Sequence, residues 1–167
     1  MKLTIKETAI FGMLGAIMYV SKVLMEFLPN IHLLGVFVVA ITAVYGVKAL
    51  YPIYIYILIN GLFAGFSMWW IPFLYVWTVL WGMAMLVPKG LNPRVKTVVY
   101  ILICSLHGFL FGTLYSVGQA IMFGMNFKTT IAWIVAGLPW DAVHGLGNLI
   151  GGLLIKPLIS VIKLSKK

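Results

Sequence analysis

The stretch LGVFVVAITAVYGVKALYPIYIYILINGLFAGF, residues 34–66, is almost entirely apolar, with Lys48 as its one charged residue. The rest of the 167-residue chain is similar: 63% of its residues are hydrophobic, 9% are charged, and the mean hydropathy is +1.09. A water-soluble domain of this size cannot bury so much apolar surface. The sequence therefore predicts an all-α integral membrane protein whose first partner is the lipid bilayer.

Breaks between the apolar runs divide the chain into six predicted membrane-spanning helices. One crossing takes about 20 residues and six take about 120, so only short connections remain and an extramembrane domain is excluded. No cleavage site follows the first apolar run, which is therefore expected to be an uncleaved span. The predicted spans are residues 8–28, 32–50, 52–68, 71–88, 96–118 and 139–162. Residues 1–167 then form a single six-helix transmembrane domain, with the apolar connection 119–138 dipping into the interface.

The basic residues predict the orientation of this domain. The chain has 12 Lys and Arg but only three Asp and Glu, and basic residues near span ends are retained in the cytoplasm. In a chain this apolar, the excess is a topology signal and not a nucleic-acid surface. Only Lys22 and Lys128 are assigned to the outer side. The inner side collects Lys2, Lys6, Lys48, Lys89, Arg94, Lys96, Lys156, Lys163, Lys166 and Lys167. Both termini are therefore expected to be cytoplasmic.

A small set of polar side chains falls within or next to the predicted spans. Polar groups are costly in hydrocarbon, so each is a candidate for function. Most of them lie toward the outer side under this orientation, with His107 and Asn148 nearer mid-depth. The outer set is Glu26, His32, Asn60, Gln119, Asp141 and His144. This distribution predicts a cavity that opens outward and binds a small molecule.

The last predicted span carries a polar face. Asp141, His144 and Asn148 are spaced i, i+3 and i+7, so they lie on one side of a helix. Pro139 suits the first helical position, where an acidic residue is also favoured by the helix dipole. Asp141 is therefore equally well explained as a helix cap or as a ligand-binding group. His144 and Asn148 lie too deep for capping, and helix packing is the alternative for both.

Aromatic residues near the fourth span suggest a binding surface for a flat ring. Trp77 lies about 10 Å deeper than Trp70 along a helix. A cavity lined by Tyr75, Trp77 and Trp140 would stack such a ring, although core packing explains Trp77 equally well and an interfacial belt explains Trp70 better than ligand binding does.

The remaining polar candidates have plain alternatives. Glu26 and Lys22, four residues apart, are able to neutralise each other, and His32 lies in an outer turn. The three histidines come from separate segments without ligand spacing, so no metal and no cofactor are expected.

Small residues at helical spacing form a further pattern. Ala9, Gly12 and Ala16 form a stripe on the first span, which either packs internally or docks another membrane protein. Three Gly-xxx-Gly pairs follow at Gly61/Gly65, Gly108/Gly112 and Gly147/Gly151. No phosphate-binding loop, no G-x-S-x-G and no H-E-x-x-H is present, and Ser105 and His107 point in different directions on a helix. An enzyme is therefore not expected.

These residues resemble the substrate-binding S components of energy-coupling factor (ECF) vitamin transporters. The resemblance extends over the whole chain and rests on short segments within it. They are the Ala9/Gly12/Ala16 stripe, LPNIH at 28–32, WW at 69–70, YVW at 75–77, GLPWD at 137–141, His144 and Asn148. The resemblance implies a six-helix bundle that binds a vitamin or precursor from outside. It also implies that the stripe meets a membrane coupling protein, and that two ATPase subunits supply the energy.

The substrate stays open within this interpretation. An aromatic lining with Asp, His and Asn favours a neutral or weakly basic heteroaromatic ring, such as a hydroxymethylpyrimidine, a pyridoxine-like compound or a thiamine fragment. A solitary secondary transporter or channel for a small solute is the alternative function, and a purely structural membrane subunit is a second one.

Overall fold

The computed structural model describes residues 2–166, whose regular secondary structure is all helical, with no strand among them. The all-α part of the prediction is confirmed. Short 3₁₀ turns occur at Gly46–Ala49 and Gly152–Leu154. The α-helices are α1 (Ile5–Leu24), α2 (Leu34–Tyr45), α3 (Leu50–Ala64), α4 (Phe73–Met85), α5 (Pro93–Phe109), α6 (Phe111–Met122), α7 (Phe127–Gly151) and α8 (Ile155–Leu164).

Several helical stretches have the length and hydropathy of membrane-spanning helices. Ile5–Leu24, Leu34–Ala64 and Phe127–Leu164 each meet both criteria. α5 and α6 are bent by 42° relative to each other, and only when taken together do they meet the length and hydropathy criteria. α4 is apolar but has only 13 residues, so it is shorter than a straight crossing of about 20 residues.

Both ends of the described chain lie at one end of the helical body. Lys48 binds the carboxylate of Glu7 at the start of α1. Lys166, after α8, donates to the carbonyl oxygen of Val44 at 2.7 Å. We call this the terminal end of the molecule, and we call the opposite end, which holds residues 25–33, 65–72 and 123–126, the distal end.

Gly46 reverses the chain between α2 and α3. Its φ of 57° lies in the left-handed region, which glycine adopts without strain. Phe11 of α1 packs against Tyr45, before the reversal, and against Tyr51, after it. The apolar stretch Leu34–Ala64 therefore runs along the helical body in opposite directions before and after Gly46.

The last two passes differ from the prediction in two respects. The prediction of a connection at 119–138 is wrong, because α7 begins at Phe127. Oδ1 of Asn126 caps this helix by accepting the amide of Thr129 at 2.9 Å. Pro139 is therefore inside α7 and not at its first position. Membrane-type helices tolerate an internal proline because neighbouring helices satisfy the freed backbone groups. The predicted span 96–118 is also not straight, since it breaks at Leu110 between α5 and α6.

α2 forms the centre of the bundle. Eleven of its 12 residues are buried, and it packs against α4, α5 and α8 with α1 and α7 beside it. The outer helices instead expose large apolar side chains, including Leu62, Ile121 and Ile150. An extensive apolar exterior of this kind is typical of a surface that contacts lipid or another protein.

Glycines allow α5 and α7 to pack at backbone contact. A Cβ on Gly108 would lie 2.8 Å from Cα of Gly145. Two hydrogen bonds flank this contact: Ser105 Oγ donates to the carbonyl of Gly145 at 2.9 Å, and Asn148 Nδ2 donates to that of Cys104 at 3.1 Å. Small residues therefore serve here as close-packing positions between helices.

We expect Gly108→Ala to lower the free energy of unfolding by about 1–3 kcal/mol, since the new methyl group meets backbone that cannot move aside. Gly12→Ala is the matched control, because no atom lies within 4 Å of a Cβ at Gly12 and alanine favours the helix. Thermal unfolding in detergent, followed by tryptophan fluorescence, measures both variants. Equal losses in the two would contradict this packing.

Candidate functional site

A cavity of about 530 Å³ opens at the distal end, between α4, α6, α7 and the connection before α2. Its size is within the range of small-molecule sites. Aromatic side chains form much of its wall, and a carboxylate and an imidazole are among its polar groups. The lining residues are Asn30, Phe73, Phe111, Gly112, Tyr115, Trp133, Ala136, Gly137, Trp140, Asp141 and His144. We call this the distal cavity.

The aromatic wall of the distal cavity presents flat apolar surfaces. Tyr115 stacks on Phe111, with ring centroids 6.2 Å apart and planes at 21°. Trp133 lies nearly parallel to Tyr115, with an interplanar angle of 11°. Tyr115 is held in place because its hydroxyl donates to the carbonyl of Trp69 at 2.7 Å. Trp140 is 57% exposed at the edge of the cavity. Such surfaces suit the faces of a planar ring.

Asp141 binds the backbone where α5 breaks from α6. The break removes the helical acceptor for the amide of Gly112, and Asp141 Oδ1 accepts this amide at 2.9 Å. Asp141 therefore caps α6 and not its own helix, since Pro139 places it in the interior of α7. Asp141 is only 6% exposed, and its Oδ2 has no hydrogen-bond partner among residues 2–166. One carboxylate oxygen is therefore structural, and the other is available to a ligand.

Gly112 is needed for this arrangement. A Cβ at Gly112 would lie 2.6 Å from Asp141 Oδ2 and 2.8 Å from Oδ1. Any larger residue would push the carboxylate out of its position. The second glycine of the Gly108/Gly112 pair thus serves the site, while the first serves helix packing.

A group of buried rings lies beneath the distal cavity. We call His32, Trp77, His107 and His144 the histidine–tryptophan cluster. Ring centroids are 4.7 Å apart for His32 and His144, 6.0 Å for His32 and Trp77, and 5.7 Å for Trp77 and His107. Trp77, His107 and His144 are at most 3% exposed, so their ring atoms are shielded from solvent.

The cluster carries polar atoms that make no hydrogen bond within the described chain. His107 Nε2 donates to the carbonyl of Val76 at 3.0 Å, but its Nδ1 has no partner there. The same holds for Nδ1 of His32, Nε1 of Trp77 and Nε2 of His144. Buried polar atoms normally find a partner, so these atoms together point to a polar guest or ordered water.

Five of the ten expected binding residues lie at or under the distal cavity: His32, Trp77, Trp140, Asp141 and His144. The other five lie outside it. Glu26 pairs with Lys22 on the surface. Trp70 donates to the carbonyl of Ile57 at 2.8 Å.

The remaining three of those five, Tyr75, Asn148 and Gln119, also lie outside the cavity. Tyr75 donates to the carbonyl of Leu114 at 2.8 Å and accepts the amide of Gly118 at 3.0 Å. Asn148 holds α5 against α7 through Cys104. Gln119 is half-buried on α6 and does not line the cavity. Tyr75 and Asn148 therefore position helices, and none of the three residues lines the cavity.

The sequence interpretation missed several lining residues, above all Trp133, because it assigned residues 119–138 to a connection. Once α7 continues through Pro139, a periodic pattern becomes visible. Trp133, Gly137, Trp140 and His144 recur at three- and four-residue intervals, which places them on one helix face. This spacing is the feature of the sequence that predicts a continuous helix through Pro139.

The stripe of Ala9, Gly12 and Ala16 lies on the outside of α1. Ala9 and Ala16 are exposed, and Gly12 has no neighbour near its missing side chain. Gly15 faces the other way, since a Cβ there would lie 2.5 Å from Ile55 of α3. The stripe is therefore not used for packing within the described chain.

Comparison with known proteins does not assign this chain to a family. No family model matches the chain, and no curated protein or solved structure matches it significantly. Across residues 2–166, no group of three or more His, Cys, Asp or Glu side chains is placed to hold a metal ion.

Replacing Asp141 tests its structural role. Asp141→Asn keeps an acceptor for the Gly112 amide, whereas Asp141→Ala leaves that amide unpaired. We expect the free energy of unfolding of the alanine variant to be about 1–2 kcal/mol lower than that of the asparagine variant. Thermal unfolding in detergent measures both. Identical stability of the two variants would show that the bond to Gly112 contributes nothing.

Proposed function

We propose that this chain is the substrate-capture subunit, or S component, of an ATP-driven ECF importer. In this proposal it spans a bacterial plasma membrane six times with both termini in the cytoplasm. It binds a small water-soluble vitamin or precursor in the distal cavity. The observation that carries the proposal is the combination of aromatic walls with unpartnered buried polar atoms, at the end opposite most of the basic residues.

The basic residues support an outward opening of the distal cavity. Of the 12 Lys and Arg, Lys167 lies outside the described residues, and Lys22 and Lys128 lie toward the distal end. The other nine belong to the terminal end, which the positive-inside rule assigns to the cytoplasm. Lys22 is also paired with Glu26, so it adds little net charge to the distal end. The cavity then opens to the exterior, where an importer must bind its substrate.

The lining supports a neutral or weakly basic heteroaromatic ligand. No Lys or Arg lines the distal cavity, so an anionic substrate would lack a counter-charge there. Asp141 Oδ2 is able to accept a hydrogen bond from an amino group or a ring N–H. The unpartnered Nε2 of His144, which lines the cavity, is able to donate or accept a hydrogen bond, and Phe111 and Tyr115 offer ring faces. A hydroxymethylpyrimidine, a pyridoxine-like compound or a thiamine fragment combines these features.

The exposed stripe on α1 supports a partner in the membrane. Three small residues on a helix surface allow another helix to approach closely. In the proposal this surface docks the coupling protein, and two ATPase subunits hydrolyse ATP below it. The lack of a phosphate-binding loop in the sequence agrees with this division of labour.

We predict that Asp141→Asn weakens binding of an aminopyrimidine or pyridine ligand about tenfold or more, because a charge-assisted hydrogen bond contributes about 1.5–3 kcal/mol. Glu26→Gln is the matched control, since it removes a distal carboxylate outside the cavity. Tryptophan quenching across a vitamin panel and mass spectrometry of co-purified ligand measure the binding. Absence of binding to every member of the panel would count against the proposal.

Reconstitution separates the proposal from the alternative of a solitary transporter or channel. Alone in proteoliposomes, the chain should bind ligand without sustained uptake, and uptake should begin when a coupling protein, ATPases and ATP are added. Gly12→Leu should abolish that uptake while ligand affinity stays unchanged. Gly12 lies on the outer face of α1 and does not line the distal cavity. Sustained uptake by the chain alone would establish the solitary transporter.

A further inference from the structure

A second cavity, of about 340 Å³, lies at the terminal end between α5, α8 and the connection before α5. Four lysines surround it, together with hydroxyl groups and an apolar back wall. The lining residues are Ala43, Lys89, Leu91, Pro93, Lys96, Thr97, Tyr100, Lys156, Ile159, Ser160 and Lys163. We call this the lysine cavity.

Two helix faces form the lysine cavity. Lys156, Ser160 and Lys163 are spaced i, i+4 and i+7 on α8, so they share one side of that helix. Lys96 and Tyr100 share one side of α5 in the same way. Lys89, from the connection before α5, completes the rim. The cationic groups therefore converge from separate segments of the chain.

The charge of the lysine cavity is not balanced by the protein. Glu7 pairs with Lys48, Glu26 pairs with Lys22, and Asp141 lies at the distal end. Within residues 2–166, none of the four cavity lysines forms an ion pair. Four cations around one cavity repel each other, and an anion seated among them relieves this repulsion.

We propose that the lysine cavity binds the phosphate headgroup of an anionic phospholipid from the cytoplasmic leaflet. This proposal goes beyond substrate capture and rests only on the orientation given above. At the terminal end of a membrane-spanning bundle, the cavity lies near the depth of lipid headgroups. Basic pockets between helices on the cytoplasmic side are suited to such groups.

The surroundings of the lysine cavity favour a lipid over a soluble anion. On the faces turned away from the cavity, α5 exposes Val95, Val98 and Leu102 and α8 exposes Val161, so lipid is expected around the two helices that form it. Within the cavity, Ala43, Leu91 and Ile159 add apolar contacts beside the lysines. A phospholipid therefore matches both the charge and the apolar part of the lining.

The test uses the delipidated full chain in non-ionic detergent. Phosphatidylglycerol, phosphatidylcholine or inorganic phosphate is titrated, thermal unfolding is recorded, and native mass spectrometry counts bound lipid. We expect phosphatidylglycerol alone to raise the unfolding midpoint. The double variant Lys96→Gln/Lys163→Gln should bind phosphatidylglycerol about tenfold more weakly or worse, because each lysine near anionic lipid contributes measurably to attraction.

Two further variants control for net charge and for folding. Lys2→Gln/Lys6→Gln removes the same charge from the same end but outside the cavity, and should bind as the wild type does. Lys96→Arg/Lys163→Arg keeps the charge and should keep the binding, which separates lost attraction from misfolding.

Several outcomes would overturn the proposal. Equal stabilisation by phosphatidylcholine would show that the headgroup charge is not recognised, and equal stabilisation by inorganic phosphate would show a soluble-anion site. Equal losses in the two glutamine variants would assign the effect to net charge. No response to phosphatidylglycerol, with stabilisation by a coupling protein alone, would assign the lysines to a protein interface. Because no vitamin is used, none of these outcomes depends on the distal cavity.

Discussion

Where α5 crosses α7, Gly108 and Gly145 bring two helix backbones into direct contact. The position of the distal cavity depends on this contact. It places Asp141, one turn before Gly145 on α7, against the break between α5 and α6, where the amide of Gly112 needs an acceptor. It also brings His144 to Phe111, with ring centroids 4.8 Å apart. A larger residue at the crossing would separate the helices and open the floor of the cavity.

The two ends of the molecule differ in the kind of polar group that lacks a partner. At the distal end, Asp141 Oδ2 and the nitrogens of the histidine–tryptophan cluster are buried without hydrogen bonds in the described chain. At the terminal end, the rim of the lysine cavity consists of cations without carboxylates. In an apolar body, unmatched polar groups are costly. Each end is therefore suited to a guest of complementary chemistry: a hydrogen-bonding ring at one end and an anion at the other.

The sequence predicted the features that depend on composition and on local periodicity. All-helical structure, several helices apolar enough to cross a membrane and a shared face for Asp141 and His144 follow from hydropathy and spacing. The course of α7 through Pro139 did not follow, because whether a proline ends a helix depends on neighbours that a sequence does not show. The hydrogen bonds of Tyr75 did not follow for a related reason: its hydroxyl reaches α6 only after α4 and α6 pack together. Trp133 was missed because the helix that contains it was not expected.

In the proposed orientation, the distal cavity faces the exterior and the terminal end faces the cytoplasm. Labelling of single cysteines with a membrane-impermeant thiol reagent distinguishes this orientation from its inverse. The wild-type chain is the blank, because its one cysteine, Cys104, is buried. Ala136→Cys in the distal cavity should react on intact cells, whereas Gly90→Cys at the terminal end should react only in inverted vesicles. The opposite pattern, with Gly90→Cys labelled from outside, would contradict the proposed orientation.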